Sequence, residues 1–248
     1  MQTGGFGKKA VASVEWLVAR KKQERFAAIR STFSIMSETK HDTTVAGFIL
    51  AGGESSRMGV DKGLLEIAGL PMIVRAARLV ESAVGAPAVV VGTPEKYREL
   101  GLRAIADGWP GCGPLGGIAT ALRASDAEWN LIVACDLPYL TREWLEHLLQ
   151  RARDSAEEAV VPLNLAPANK RRAEPLCAMY HKGSEPAIRR ALERGVRKVT
   201  DGLAELRVEM IEPAKWKGFD SDGLLFKNVN TPADYEEAKA KLVGRAEK

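Results

Sequence analysis

Apolar positions along this chain fall into two alternating periods, and the alternation begins at Val45. Residues 45–50 (VAGFIL) form a short, almost continuous apolar run closed by Gly52-Gly53, the pattern of a strand buried on both faces. Runs at 88–91, 103–106, 131–134, 160–163, 176–180, 208–211 and 225–229 predict further strands, with a brief extended piece at 64–67. Between them the apolar residues recur at helical spacing. Pro71 suits the start of a helix whose face carries Ile73, Ala76, Ala77 and Val80. Further helices are predicted at 94–100, 115–123 and 183–194, and at 141–151 with Thr141 as its cap. Thr231-Pro232-Ala233-Asp234 opens the last one, as a capping box with Asp in the third helical position. Repeated strand–helix alternation predicts an α/β fold: a mostly parallel sheet with helices on both faces. In such sheets ligands bind beyond the carboxyl ends of the strands, so candidate chemistry should follow each strand directly.

Residues 1–44 read differently. Val11, Val14, Leu17 and Val18 have helical spacing, but polar residues 37–44 separate them from the first strand. The expectation is a poorly packed N-terminal extension, 1–44, ahead of one domain, 45–248. Charge follows the same division. The extension holds eight Lys/Arg against four Asp/Glu, so the net charge of +4 resides there and the rest of the chain is balanced. A balanced body carries no global field for nucleic acid or an anionic membrane. At 248 residues, 46% hydrophobic and 27% charged, the chain is large enough for one substantial core. Cys112, Cys135 and Cys177 are widely spaced and the three histidines scattered, which disfavours a disulfide framework or a zinc site. A reduced, cytoplasmic setting is expected, without stable membrane insertion, since no apolar run approaches the ~20 residues a membrane helix needs.

Three strand ends carry chemistry. After the first comes Leu50-Ala51-Gly52-Gly53-Glu54-Ser55-Ser56-Arg57-Met58-Gly59-Val60-Asp61-Lys62-Gly63. Glycines allow backbone N–H groups to surround phosphate oxygens, Arg57 can contact phosphate bidentately and Lys62 adds a point charge. The spacing departs from a Walker A loop; a glycine-rich surface turn is the plainer alternative. After the third strand, Gly111, Gly113 and Gly116 match G-x-G-x-x-G. However, residues 107–110 separate the motif from its strand and Pro114 interrupts it, so a turn delivering a helix N-terminus is preferred to a dinucleotide site. After the fourth comes Cys135-Asp136-Leu137-Pro138, where a carboxylate at a buried strand end could hold a metal or merely make a turn. Near the C-terminus, Asn228 and Asn230 are either ligand amides or ordinary turn residues. Residues 166–174, with Lys170, Arg171 and Arg172, are either a flap over an anionic acceptor or a solvated hairpin.

Taken in order, Leu50-Ala-Gly-Gly-x-Ser-x-Arg-Met-Gly-x-Asp-Lys62, Gly113-Pro-Leu-x-Gly-Ile118, Cys135-Asp-x-Pro138 and Asn228-Val-Asn-Thr-Pro232 resemble the molybdenum cofactor guanylyltransferases, from about Val45 onward. The resemblance implies a three-layer α/β/α Rossmann-like sandwich of the nucleotide-diphospho-sugar transferase type. It implies transfer of GMP from GTP to the terminal phosphate of molybdenum-molybdopterin, with release of pyrophosphate and with Mg²⁺ as cofactor. It further implies nucleotide contacts from the backbone of Leu50, Ala51, Gly52 and Gly53, phosphate contacts from Arg57 and Lys62, and a guanosine contact from Asp107. Asp136 would bind Mg²⁺ and nucleotide, and Asn230 would assist at the metal or the acceptor phosphate. Molybdoenzyme apoproteins or other cofactor-biosynthesis proteins are further partners it leaves open. Two positions depart from the family pattern: Gly92-Thr93-Pro94, where relatives often offer Asn, and Glu174-Pro175-Leu176, where Gln or His often leads. A CTP-dependent cytidylyltransferase on the same pterin, a sugar-phosphate nucleotidyltransferase and a non-catalytic molybdopterin carrier are the alternatives. Ala51-Gly52-Gly53, in place of Ala-Ala-Gly, favours guanine over cytosine.

Overall fold

The computed structural model describes residues 44–51, 61–166 and 170–246. The expected extension 1–44 therefore lies outside the described residues except for Thr44. Strand β1 (Val45–Leu50) is followed by a 3₁₀ turn at Lys62–Leu64, a small antiparallel pair of β2 (Glu66–Ile67) and β3 (Leu70–Pro71), and helix α1 (Met72–Val84). The chain continues through β4 (Val89–Gly92), α2 (Pro94–Arg98), β5 (Arg103–Ala106), α3 (Gly113–Ala124), β6 (Trp129–Ala134) and α4 (Arg142–Arg153). A hairpin of β7 (Ala159–Ala166) and β8 (Lys170–Ala173) leads to β9 (Cys177–His181). Helices α5 (Glu185–Glu193) and α6 (Val199–Leu203), strand β10 (Val208–Ile211), α7 (Pro213–Trp216) and α8 (Pro232–Ala246) complete it.

The main sheet runs β10-β7-β9-β6-β1-β4-β5, with β8 paired to β7. Along this path β9 runs against both its neighbours and the other pairings are parallel. Successive side chains of β1 point to opposite faces, which explains its unbroken apolar run. Val45 and Ile49 join one core with α1, α2 and α4; Phe48 and Leu50 join the other with α3, α5 and α6. Gly47 lets α1 approach closely, since a Cβ there would stand 2.2 Å from Val80 Cγ1. A third cluster packs α8 through Ala238 and Leu242 against Ile67, Met72, Tyr139 and Val229. This α8 packing brings the end of the chain back to the edge where β1 and β6 finish.

The mostly parallel α/β architecture matches the sequence pattern, with three local corrections. Residues 225–229 form no strand: Leu225, Phe226 and Val229 are apolar because they are buried, not because they pair along a ladder. The extended piece at 64–67 is split into the end of the 3₁₀ turn and the two residues of β2. The helix expected at 183–194 starts at Glu185, after a 3₁₀ turn at Lys182–Ser184. Both expected caps form: Thr141 accepts from Trp144 N–H at 3.3 Å, and Thr231 and Asp234 cap each other reciprocally.

On α1, the half-buried Glu81 accepts from Ala88 N–H at 3.1 Å. Burial pushes its carboxyl from the ordinary 4.5 up to about 7, against the opposing pull of that N–H and of Arg78 and Arg103. The native chain thus binds more protons between those two values, and this group's contribution to stability falls as pH rises through them. Glu81→Gln keeps an acceptor and removes the charge. It is expected to raise Tm at pH 8 and leave it nearly unchanged at pH 4, as read by thermal unfolding at the two pH values.

Candidate active site at the ends of β1 and β6

Strands β1 and β6 lie side by side in parallel, with Leu50 opposite Ala134. From β1 the chain moves outward to β4 and β5, then returns across β1 to β6. The connections leaving β1 and β6 therefore diverge and open a crevice at their carboxyl ends, the usual ligand position in such sheets. The ladder continues one step past the strands: Cys135 N–H donates to Leu50 O at 3.2 Å, and Ala51 N–H donates to Val91 O at 3.0 Å. Asp136 is thereby carried to the crevice beside Ala51. Gly52, Gly53 and Arg57 lie outside the described residues.

The described residues resume at Asp61 and Lys62. Asp61 caps the 3₁₀ turn by accepting Gly63 N–H at 3.0 Å. Lys62 Nζ donates to Asn230 Oδ1 at 2.8 Å and stands 3.9 Å from Asp136 Oδ2. The other oxygen, Asp136 Oδ1, accepts from Asn228 Nδ2 at 3.0 Å, while the Asp136 carbonyl accepts Val229 N–H at 2.9 Å. Asn230 is held in turn by Asp234, whose Oδ2 accepts its N–H at 3.1 Å as part of the α8 capping box. Lys62, Asp136 and Asn230, three of the expected site residues, thus form one cluster with Asn228.

Burial raises the Asp136 carboxyl above the ordinary carboxylate range, while the Asn228 amide and then the Lys62 ammonium pull it down. A carboxylate in this balance gains from an added cation nearby. Among the described residues no three His, Cys, Asp or Glu side chains cluster as a ready-made metal cage. One carboxylate shared with ligand phosphates is the arrangement a magnesium ion commonly uses.

Asp107 takes another position. It follows β5, and its Oδ1 accepts from Trp109 N–H and from Thr120 Oγ1, both at 2.9 Å, which ties the turn to α3. Three strand spacings separate β5 from β6, a distance of about 14 Å at ~4.8 Å per strand. The G-x-G-x-x-G match begins five residues after β5 and serves the start of α3. On the opposite side, Leu176 O accepts Ala134 N–H at 2.8 Å, so residues 174–176 lie beyond the end of β6 at the same sheet edge. There Glu174 is 9% exposed, accepts from Asn164 Nδ2 at 3.2 Å, and has its carboxyl raised chiefly by burial. Residues 170–173, within the stretch read from sequence as a flap or a solvated hairpin, pair with β7 as β8, while the sequence reading gave no role to Asp61 or Tyr97. The adjacency of Asp61 to Lys62 was the available signal for the first.

The MobA-like NTP transferase domain family matches residues 47–208. A protein of Pelotomaculum thermopropionicum named "Probable molybdenum cofactor guanylyltransferase" is 34% identical over 193 residues, covering 78% of this chain and 91% of its own. The chain belongs to the molybdenum cofactor guanylyltransferase family. Desulfosudis oleivorans has a relative named molybdenum cofactor guanylyltransferase, 32% identical over 201 residues, covering 80% of this chain and 96% of its own. Among solved structures, molybdopterin-guanine dinucleotide biosynthesis protein A from Archaeoglobus fulgidus superposes with a TM-score of 0.66 at 28% identity, covering 79% and 97% of the two chains. The nucleotide-diphospho-sugar transferase type of sheet is therefore the fold of this chain, and the chain is a nucleotidyltransferase. No helix among the described residues is long and apolar enough to cross a membrane.

Replacing Asn228 with Ala removes the amide on Asp136 Oδ1. The expected cost is about 1.5–3 kcal/mol, the usual range for a hydrogen bond to a charged group. For a chain of this size that corresponds to a fall in Tm of about 3–12 °C. Thermal unfolding of the metal-free protein checks it, and an unchanged Tm would remove this bond from the account of Asp136.

Proposed function

We propose that this chain transfers GMP from GTP to the terminal phosphate of molybdenum-molybdopterin, forming the guanine dinucleotide cofactor and releasing pyrophosphate. The observation that carries the proposal is the convergence of Lys62, Asp136, Asn228 and Asn230 at the β1/β6 crevice, in a chain of this family. An oxygen of the acceptor phosphate attacks the α-phosphorus of GTP, and the bond from that phosphorus to the bridging oxygen of the leaving pyrophosphate breaks. The acceptor is already ionised, so the protein needs no strong base; it aligns the groups and neutralises charge.

Lys62 and Arg57 are assigned to the phosphates, and the backbone of Leu50, Ala51, Gly52 and Gly53 to the nucleotide. Asp107 is assigned to guanosine; its distance from β6 suits a base placed away from the reacting phosphates. Asp136 is the residue that would hold Mg²⁺, and Asn230 would help at the metal or the acceptor phosphate. When bound, the ion supplies charge neutralisation at the phosphates. The acceptor is placed toward Glu174 and the β7–β8 hairpin, on the side of β6 away from Asp107.

Calorimetry with Mg²⁺ and each of GTP, CTP, ATP and UTP tests the reading. Selective GTP binding is expected, with Asp136→Ala losing both that binding and turnover by orders of magnitude while unfolding cooperatively. Preference for CTP would move the assignment to a cytidylyltransferase. Absence of nucleotide binding would overturn it.

A further inference from the structure

The corner formed by β4 and α2 holds the chain on both sides of the glycine-rich stretch that starts at Gly52. On the near side, Ala51 N–H is bonded to Val91 O, and Gly92 lies against the Ala51 carbonyl: a Cβ on Gly92 would sit 2.2 Å from Ala51 O and 3.0 Å from Tyr97 Cε2. Only glycine permits that approach without shifting backbone. On the far side, Tyr97 Oη donates to Asp61 Oδ2 at 3.2 Å, and Lys96 Nζ reaches the same oxygen at 3.2 Å. The other Asp61 oxygen accepts Gly63 N–H. Lys62 lies between these two fixed residues.

The Tyr97 ring is 2% exposed, wedged in the core under β1 and β4. Phe would fill that space equally well, so packing does not explain the hydroxyl. Its partner is a carboxylate next in sequence to the ammonium that faces Asp136 and Asn230. A phenol on an immobile ring is a fixed and directional donor. Lys96, about half exposed, supplies charge but little direction. Together they engage Asp61 and leave the neighbouring Lys62 ammonium turned to the crevice.

We propose that Tyr97 is a positioning residue: acting through the Asp61 carboxylate, its hydroxyl holds the Lys62 ammonium where the nucleotide phosphates bind. This rests on the phosphate role given to Lys62 above. The test is a double-mutant cycle of Tyr97→Phe, Lys62→Ala and both together, read as the Kd for GTP with Mg²⁺ by calorimetry and as Tm. Tyr97→Phe is expected to weaken GTP binding by about tenfold, a coupling of the size seen between residues acting as one unit. In the Lys62→Ala background the same change should have an effect under twofold, since a merely structural tyrosine would cost as much in either background.

Two outcomes overturn the positioning role alone: full GTP affinity in Tyr97→Phe while Lys62→Ala is impaired, or a Tyr97→Phe loss that persists undiminished without Lys62. Full affinity in Lys62→Ala instead overturns the phosphate role of Lys62, and the positioning role with it. Should Tyr97→Phe lower Tm by more than a few degrees, Asp61→Asn replaces it in the cycle. That variant keeps an acceptor for Gly63 N–H and must show the same dependence on Lys62 for the proposal to stand.

Discussion

The parallel pairing of β1 with β6 is the constraint on which the rest depends. It places two chain segments that diverge on leaving the sheet at a common edge, and the hydrogen bond from Cys135 to the Leu50 carbonyl extends the register one residue beyond the strands. Nothing in the turn chemistry alone would bring Asp136 beside Ala51. The position of the carboxylate is inherited from a backbone ladder buried under two apolar layers, so it is set with the rigidity of the core rather than that of a loop.

Charge at this edge is balanced locally and incompletely. Burial raises the Asp136 carboxyl from its ordinary value by penalising its charged form, and one amide and one ammonium at 3.9 Å offset part of that penalty. Lys62 shares itself between that carboxylate and Asn230. These contacts order the cluster; on the proposed reading, phosphate oxygens and a cation would take their place at little reorganisation cost, since the same groups already face one another across the crevice. Asp61 illustrates the opposite case: Tyr97, Lys96 and Gly63 engage both of its oxygens, and it serves geometry rather than binding.

Much of the fold was legible in sequence because burial on two faces leaves a plain signature. The apolar runs at 45–50, 103–106 and 208–211 coincide with strands, and the caps at Thr141 and Thr231 form where their residue types indicate. The run at 225–229 was misleading for a physical reason: an irregular segment wedged into two cores needs the same apolar residues as a strand. Strand direction was not legible for β9, since apolar patterning is blind to the sense of the chain. At the site, Asp136 could be placed from its strand, and the glycine-rich motif drew attention to Lys62. The pairing of Lys62 with Asn230 spans 168 residues, and no local pattern encodes it. Tyr97 was hidden because a buried aromatic on a short helix looks like core until its hydroxyl is traced.

That long span has a consequence for how the protein comes into being. The chain is made from its N-terminus, and β1, β4, β5 and β6 are all synthesised before residues 228–234 have left the ribosome. Until then Asp136 has no amide partner and Lys62 no carbonyl oxygen to meet. A nascent or prematurely terminated chain would thus lack the contacts that order Lys62 and Asp136 at the β1/β6 edge. The segment that leads into α8 is thus the last piece of the cluster to be made.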